Sequence, residues 1–148
     1  MRKKTFYSSA FLKARIKHDA MSMSSFAATI GVSPETLRRK IGRKQYFNIG
    51  EIYSMIEALN VVTASECTLL FFLSKENESK THYNLYKAIL DNDIPPIKIA
   101  LTLGVPLETL FDKIMGAKDF RWNEVIAIKE NFFPNYTMNS LFERGVTA

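Results

Sequence analysis

The segment GVSPETLRRKIGRKQYF, residues 31–47, holds five cations within seven positions: Arg38, Arg39, Lys40, Arg43 and Lys44. Guanidinium forks and ammonium groups gathered this closely suit a polyanion better than a single counter-charge. Other reactive side chains are few. The one cysteine, Cys67, cannot form an internal disulfide, and the two histidines, His18 and His82, make no zinc set with the usual spacings. Cys67 lies in the apolar stretch ASECTLLFF and is expected to be a buried thiol. His18 and His82 fall at a helix end and in a polar stretch, where solvation is expected. There is no Gly-rich phosphate loop, metal cluster or nucleophile elbow, so neither an enzyme nor a cofactor is expected.

Hydrophobic residues make up 47% of the 148 and charged residues 24%, the balance of a globular chain with a real core. No run reaches the ~18 apolar residues of a membrane helix. Arg2, Lys3 and Lys4 precede no long apolar region, so no signal peptide is expected. The expectation is a cytoplasmic protein with no membrane partner. Net charge is +5 and uneven: residues 1–73 carry 11 Lys/Arg against 5 Asp/Glu, residues 74–148 carry 9 against 10. The first half is the one expected to face a polyanion; ordinary surface scatter is the alternative.

The basic segment has a near twin. GVPLETLFDKIMGAKDF, residues 104–120, follows at an offset of 73 residues with the same frame and only two cations. The register holds without a gap from Leu12/Leu85 to about Leu59/Phe132. It matches Ile16/Ile89, Ala27/Ala100, Gly31/Gly104, Leu37/Leu110, Lys40/Lys113, Ile41/Ile114 and Glu51/Glu124, among others. Apolar matches in helical register over such a span indicate a duplication. Each copy is expected to form about five short helices. In the first copy these carry Leu12/Ile16, Phe26/Ala27/Ile30, Leu37/Ile41, the stripe Ile49/Ile52/Ile56/Leu59, and ASECTLLFFL. Trp122 and Phe132 follow Ile49 and Leu59 in register and are expected in the core. The polar stretch at 74–82 is expected to be a linker between domains at 1–73 and 83–148.

Local chemistry sets the turn in the first copy. Gly31 suits a left-handed helix end, Val32 plugs the core, and Ser33 caps a helix begun by Pro34. Glu35 lies near the positive end of that helix dipole. Ala27 allows a close crossing. This spacing of Ala27, Gly31, Val32, Ser33 and Leu37 resembles the helix-turn-helix of Cro and lambda-repressor-like (XRE-type) regulators. The continuation TLRRKIGRKQYFNIGEIYSMIEALNV is similar to small phage and mobile-element members. The resemblance covers roughly residues 8–73, and the second copy, roughly 81–144, resembles the same fold. It implies an all-α chain of two tandem five-helix lambda-repressor-like domains.

The resemblance further implies double-stranded DNA as partner. The third helix would enter the major groove with Pro34, Glu35, Thr36, Arg38 and Arg39 at base edges, the arginines being suited to guanine. Ser22, Ser24 and Ser25 at the second helix, with Lys40, Arg43 and Lys44, are the implied phosphate contacts. Arg2, Lys3 and Lys4 are a candidate arm. A solvated basic face is the alternative for the whole set.

The second copy changes these positions. Arg38 becomes Phe111, Arg39 becomes Asp112, Arg43 and Lys44 become Gly116 and Ala117, and Ser33 becomes Pro106. An aromatic ring and a carboxylate oppose phosphate binding. Phe111, expected on the outer face, is the candidate protein contact. The second copy is then the candidate for homodimerisation or for holding a protein partner. The leading expectation is a sequence-specific transcriptional regulator, acting as a homodimer. The alternative is a phage-type protein-binding inhibitor, an antirepressor or an anti-CRISPR-like inhibitor of a host nuclease, that reuses the fold with or without autoregulatory DNA binding.

Overall fold

The computed structural model describes residues 8–19, 22–42 and 47–146. Arg2, Lys3, Lys4, Arg43 and Lys44 lie outside the described residues. Those described are mostly helical and form no strand. Among them, no single helix is long and apolar enough to cross a membrane.

The helices are α1 (Ala10–His18), α2 (Met23–Ile30), α3 (Pro34–Ile41), α4 (Ile49–Leu59) and α5 (Ala64–Cys67), which runs on as a π-helical turn at Thr68–Phe72. After a 3-10 helix at Lys75–Lys80 come α6 (Tyr83–Asp91), α7 (Pro96–Leu103), α8 (Leu107–Met115), α9 (Trp122–Phe132) and α10 (Met138–Phe142). The bounds of α1, α2 and α4 recur in α6, α7 and α9 at the same 73-residue offset.

The matched turns are built alike. Gly31 and Gly104 are left-handed, with φ of 78° and 70°. The next amide closes each helix, Val32 N–H to the Ala27 carbonyl and Val105 N–H to the Ala100 carbonyl, both at 3.0 Å. Ala27 and Ala100 are buried where α2 packs on α3 and α4, and α7 on α8 and α9.

The halves do not sit as separate beads. α1 packs on α6, and α5 packs on α8. Phe11, Tyr86, Leu69, Leu70 and Phe111 therefore share one core with the rest of the chain. The stretch at 74–82 is not the free linker that its polarity predicts. It winds into the 3-10 helix, then buries Thr81 and His82. The His82 amide donates to the Ile114 carbonyl at 2.8 Å, and the Gly145 amide donates to the Thr81 carbonyl at 2.8 Å.

Two core expectations fail. Ile49 is 70% exposed and its counterpart Trp122 is 68% exposed. The buried stripe of α4 is Glu51, Met55 and Leu59, one residue round from the stripe expected from Ile49, Ile52 and Ile56. Glu51 is held inward by an ion pair and shares the inner face with Met55 and Leu59, which leaves Ile49 turned outward.

Candidate nucleic-acid interface

α2 and α3 present the face to be judged. Ser22 caps α2, its Oγ accepting from the Ser25 amide at 3.0 Å. The remaining first-turn amides have no acceptor within the helix, and Ser24 and Ser25 are exposed beside them. Ser33 caps α3: its Oγ accepts from the Thr36 amide at 3.1 Å and donates to Thr36 Oγ1 at 2.8 Å. Pro34 takes the first helical position and Glu35 is exposed beside it. Leu37 and Ile41 are buried. Arg38 and Arg39 are exposed, and among the described residues neither side chain has a partner. The face thus combines uncommitted guanidinium groups, a capped helix start and exposed hydroxyls, a set that can bind phosphate and base edges.

Lys40 leaves this set. Its Nζ is turned inward to Glu51, at 2.6 Å from Oε1 and 2.8 Å from Oε2, and is 6.0 Å from the centre of the Phe47 ring. Glu51 also accepts from the Asn48 amide at 2.8 Å, while Asn48 Oδ1 caps the Glu51 amide. Burial raises the Glu51 pKa, but the bonds from Lys40 and Asn48 outweigh it and hold the carboxyl below its ordinary range. The second half repeats the device. Lys113 pairs with Glu124, which accepts from the Arg121 amide at 2.8 Å and is likewise held low. A pair kept in both halves ties the third helix to the fourth. In this structure its lysine is committed to the carboxylate rather than free on the outer face.

The substituted positions of the second half also have structural reasons. Phe111, expected on the outside, is 1% exposed, because α8 turns that face onto α5 and α6. Asp112, in the place of Arg39, accepts from Ser65 Oγ of α5 at 2.5 Å, and Lys118 lies 3.7 Å away. Gly116, in the place of Arg43, has φ of 87°, and a Cβ there would meet the Lys80 carbonyl oxygen at 2.3 Å. Pro95 and Pro96 open α7 and remove two of its amide donors. The face that is free in α3 is thus occupied in α8 by the chain's own first half and 3-10 helix. Phe111 is a contact residue within the chain, and is unavailable to a separate protein.

Sequence reasoning missed Ser65 and Lys80 as the groups that cover α8. One signal for the second was present: a glycine replacing an arginine marks a close backbone approach. It also misplaced His82, whereas His18 is exposed at the end of α1 as expected. His18 Nε2 bridges to Asp93 at 2.8 Å and Nδ1 to Asp19 at 2.9 Å, tying α1 to the turn after α6. Burial lowers its pKa, but the two carboxylates prevail and raise it. His82 is buried between the edges of Phe120 and Phe142, with Nδ1 3.1 Å from the Phe142 carbonyl. Burial, then the Arg144 charge, hold it below its ordinary value. In an NMR titration the His18 ring is expected to change charge above pH 6.5 and the His82 ring below it. The linkage signs oppose. The His18 contribution to stability is present below pH 6.5 and lost as pH rises through its folded pKa. The His82 contribution is present above pH 6.5 and lost as pH falls toward its folded pKa. Two rings titrating together at the unfolded value would contradict both placements.

Comparison with known family models, characterised proteins and solved structures gives no match.

Proposed function

We propose that the chain is a tandem duplication of a five-helix, lambda-repressor-like helix-turn-helix domain, and that only the first copy reads DNA. In this reading the protein is a sequence-specific transcriptional regulator. α3 enters the major groove with Pro34, Glu35, Thr36, Arg38 and Arg39 at base edges. Ser22, Ser24 and Ser25 meet phosphate at the start of α2, and Arg43 and Lys44 continue that contact. The observation that carries the reading is the contrast between matched helices. Arg38 and Arg39 are exposed and uncommitted, whereas Phe111 and Asp112 at the same register are packed or bonded inside the chain. One reader per chain fits a two-fold dimer on paired half-sites.

A second reading, a protein-binding inhibitor reusing the fold, is favoured by apolar residues on the second half. Leu101 is exposed where the first half has the small Ala28, and Trp122 is exposed with it. This surface, rather than Phe111, is then the candidate for self-association or a protein partner. Trp122→Glu with sedimentation analysis tests it.

The DNA reading is tested by a binding titration at two salt concentrations. Affinity is expected to fall steeply with salt, and Arg38→Ala or Arg39→Ala each to weaken specific binding by about 1–3 kcal/mol. Lys40→Met is expected to leave the salt slope unchanged, whereas a phosphate contact would lower it by about 1. If a selected site binds the Arg38→Ala/Arg39→Ala protein as well as wild type, the groove assignment is wrong.

A further inference from the structure

A cleft of about 430 Å³ opens between the two halves of the chain. Its apolar walls come from both, and include Val62, Ile89, Ile94, Ile97, Leu107 and Phe111. One end is polar. There Arg15 Nη1 meets Glu66 at 2.8 Å and Nη2 meets the Leu59 carbonyl at 2.5 Å. Tyr86 lines the same end, and its hydroxyl is the one buried side-chain polar atom among the described residues without a hydrogen-bond partner. The Arg15 guanidinium lies near the phenol oxygen and can only donate to it, so it is the hydroxyl hydrogen that lacks an acceptor. Burial, then the Glu66 charge, raise the phenol pKa, so Tyr86 remains a neutral O–H donor. His18 and Asp93 also line the cleft, joined at 2.8 Å.

Each feature constrains an occupant. The volume is that of an ordinary small-ligand site. The walls ask for an apolar body. Arg15 is paired with Glu66 and Asp93 is bonded to His18, so no charged group lining the polar end is left without a partner. The unpartnered hydroxyl is a standing cost to the empty fold that one polar ligand atom removes. We propose that the cleft binds a small uncharged molecule with a compact apolar body and one hydroxyl or carbonyl group, which accepts the hydrogen bond of Tyr86. The hydroxyl is sealed from water in the empty fold, so a ligand reaches it only as lining side chains move aside. This site rests on the seam alone and does not depend on DNA binding.

The test uses the full chain, isotope-labelled, titrated by NMR with 2-naphthol and with naphthalene, a pair that differs by one hydroxyl. Saturable shifts are expected at Glu66, Tyr86, Ile89 and Leu107 for both, with 2-naphthol the tighter. Tyr86→Phe is expected to weaken 2-naphthol by about fivefold, leave naphthalene unchanged, and fold at least as stably as wild type. Ile97→Trp, at the half-exposed mouth, is expected to abolish binding of both. The proposal is overturned if neither probe gives saturable shifts, if the shifts gather instead around Trp122, or if Tyr86→Phe leaves the preference for 2-naphthol intact.

Discussion

Phe111→Ala is expected to lower stability by about 3–5 kcal/mol, the usual loss when a fully buried aromatic ring leaves a cavity. Phe111 is 1% exposed, in the helix that packs on α5 and α6. Its removal therefore loosens the seam between the halves as well as the second half itself. The readout is a urea midpoint, which should fall without a change in m. Phe111→Arg, which restores the residue of the first half, should be worse, because a guanidinium would be buried with no partner. A loss of under about 1 kcal/mol for Phe111→Ala would mean that the ring packs in no seam. The same result would reopen it as a surface for another protein.

Lys113→Ala is expected to cost a similar amount, about 3–5 kcal/mol, because it strands the Glu124 carboxylate in a buried site. Lys40→Ala should act in the same direction in the first half through Glu51, and Phe47 loses its cation neighbour as well. Replacing both partners of one pair, as in Lys113→Met with Glu124→Leu, should recover most of the loss, since two apolar groups need no counter-charge. The pH dependence has a definite sign. Glu51 and Glu124 are held below the ordinary value of 4.5 in the folded chain. Their contribution is present above pH 4.5 and is lost as pH falls through the folded pKa values. Urea midpoints at neutral pH and near pH 3 should therefore differ, and the difference should shrink when both pairs are made apolar. Equal shrinkage from altering Arg38 and Arg39 would place the acid dependence elsewhere.

The local motifs were legible because short-range chemistry dictates them. Gly31 and Gly104 take the left-handed conformation that ends a helix, Ser33 caps the helix it precedes, and Pro106 brings no cap. The matched apolar positions give the matched helices. What was not legible depends on how one half meets the other. Phe111 sits at an outward register within its own half, and only the approach of α5 makes that register an inside one. His82 and the 3-10 helix read as linker because their sequence is polar, yet their backbone bonds tie Thr81 and His82 to Ile114 and Gly145. Ile49 and Trp122 fit an apolar stripe, but the inner face of the fourth helix in each half is the one that carries the paired Glu51 or Glu124, and both apolar residues are exposed. Lys40 illustrates the same limit from the other side. It lies in a run of cations, and only its partner distinguishes it from Arg38 and Arg39.

The matched segments therefore share a frame for one set of reasons and differ for another. Residues kept in both halves, Gly31/Gly104, Leu37/Leu110, Lys40/Lys113 and Glu51/Glu124, hold the turn and the helix pairing. Residues that differ, Arg38/Phe111 and Arg39/Asp112, separate a free face from one closed by the chain itself, where Gly116 admits the Lys80 backbone.

The most direct measurement is a selection from random double-stranded oligonucleotides, run in parallel with wild type, Arg38→Ala/Arg39→Ala and Lys113→Met/Glu124→Leu. The account predicts that wild type enriches one guanine-containing motif. It predicts that the arginine variant loses the motif and that the second-half variant keeps it. Failure of wild type to enrich any motif, or an unchanged motif in the arginine variant, would contradict it.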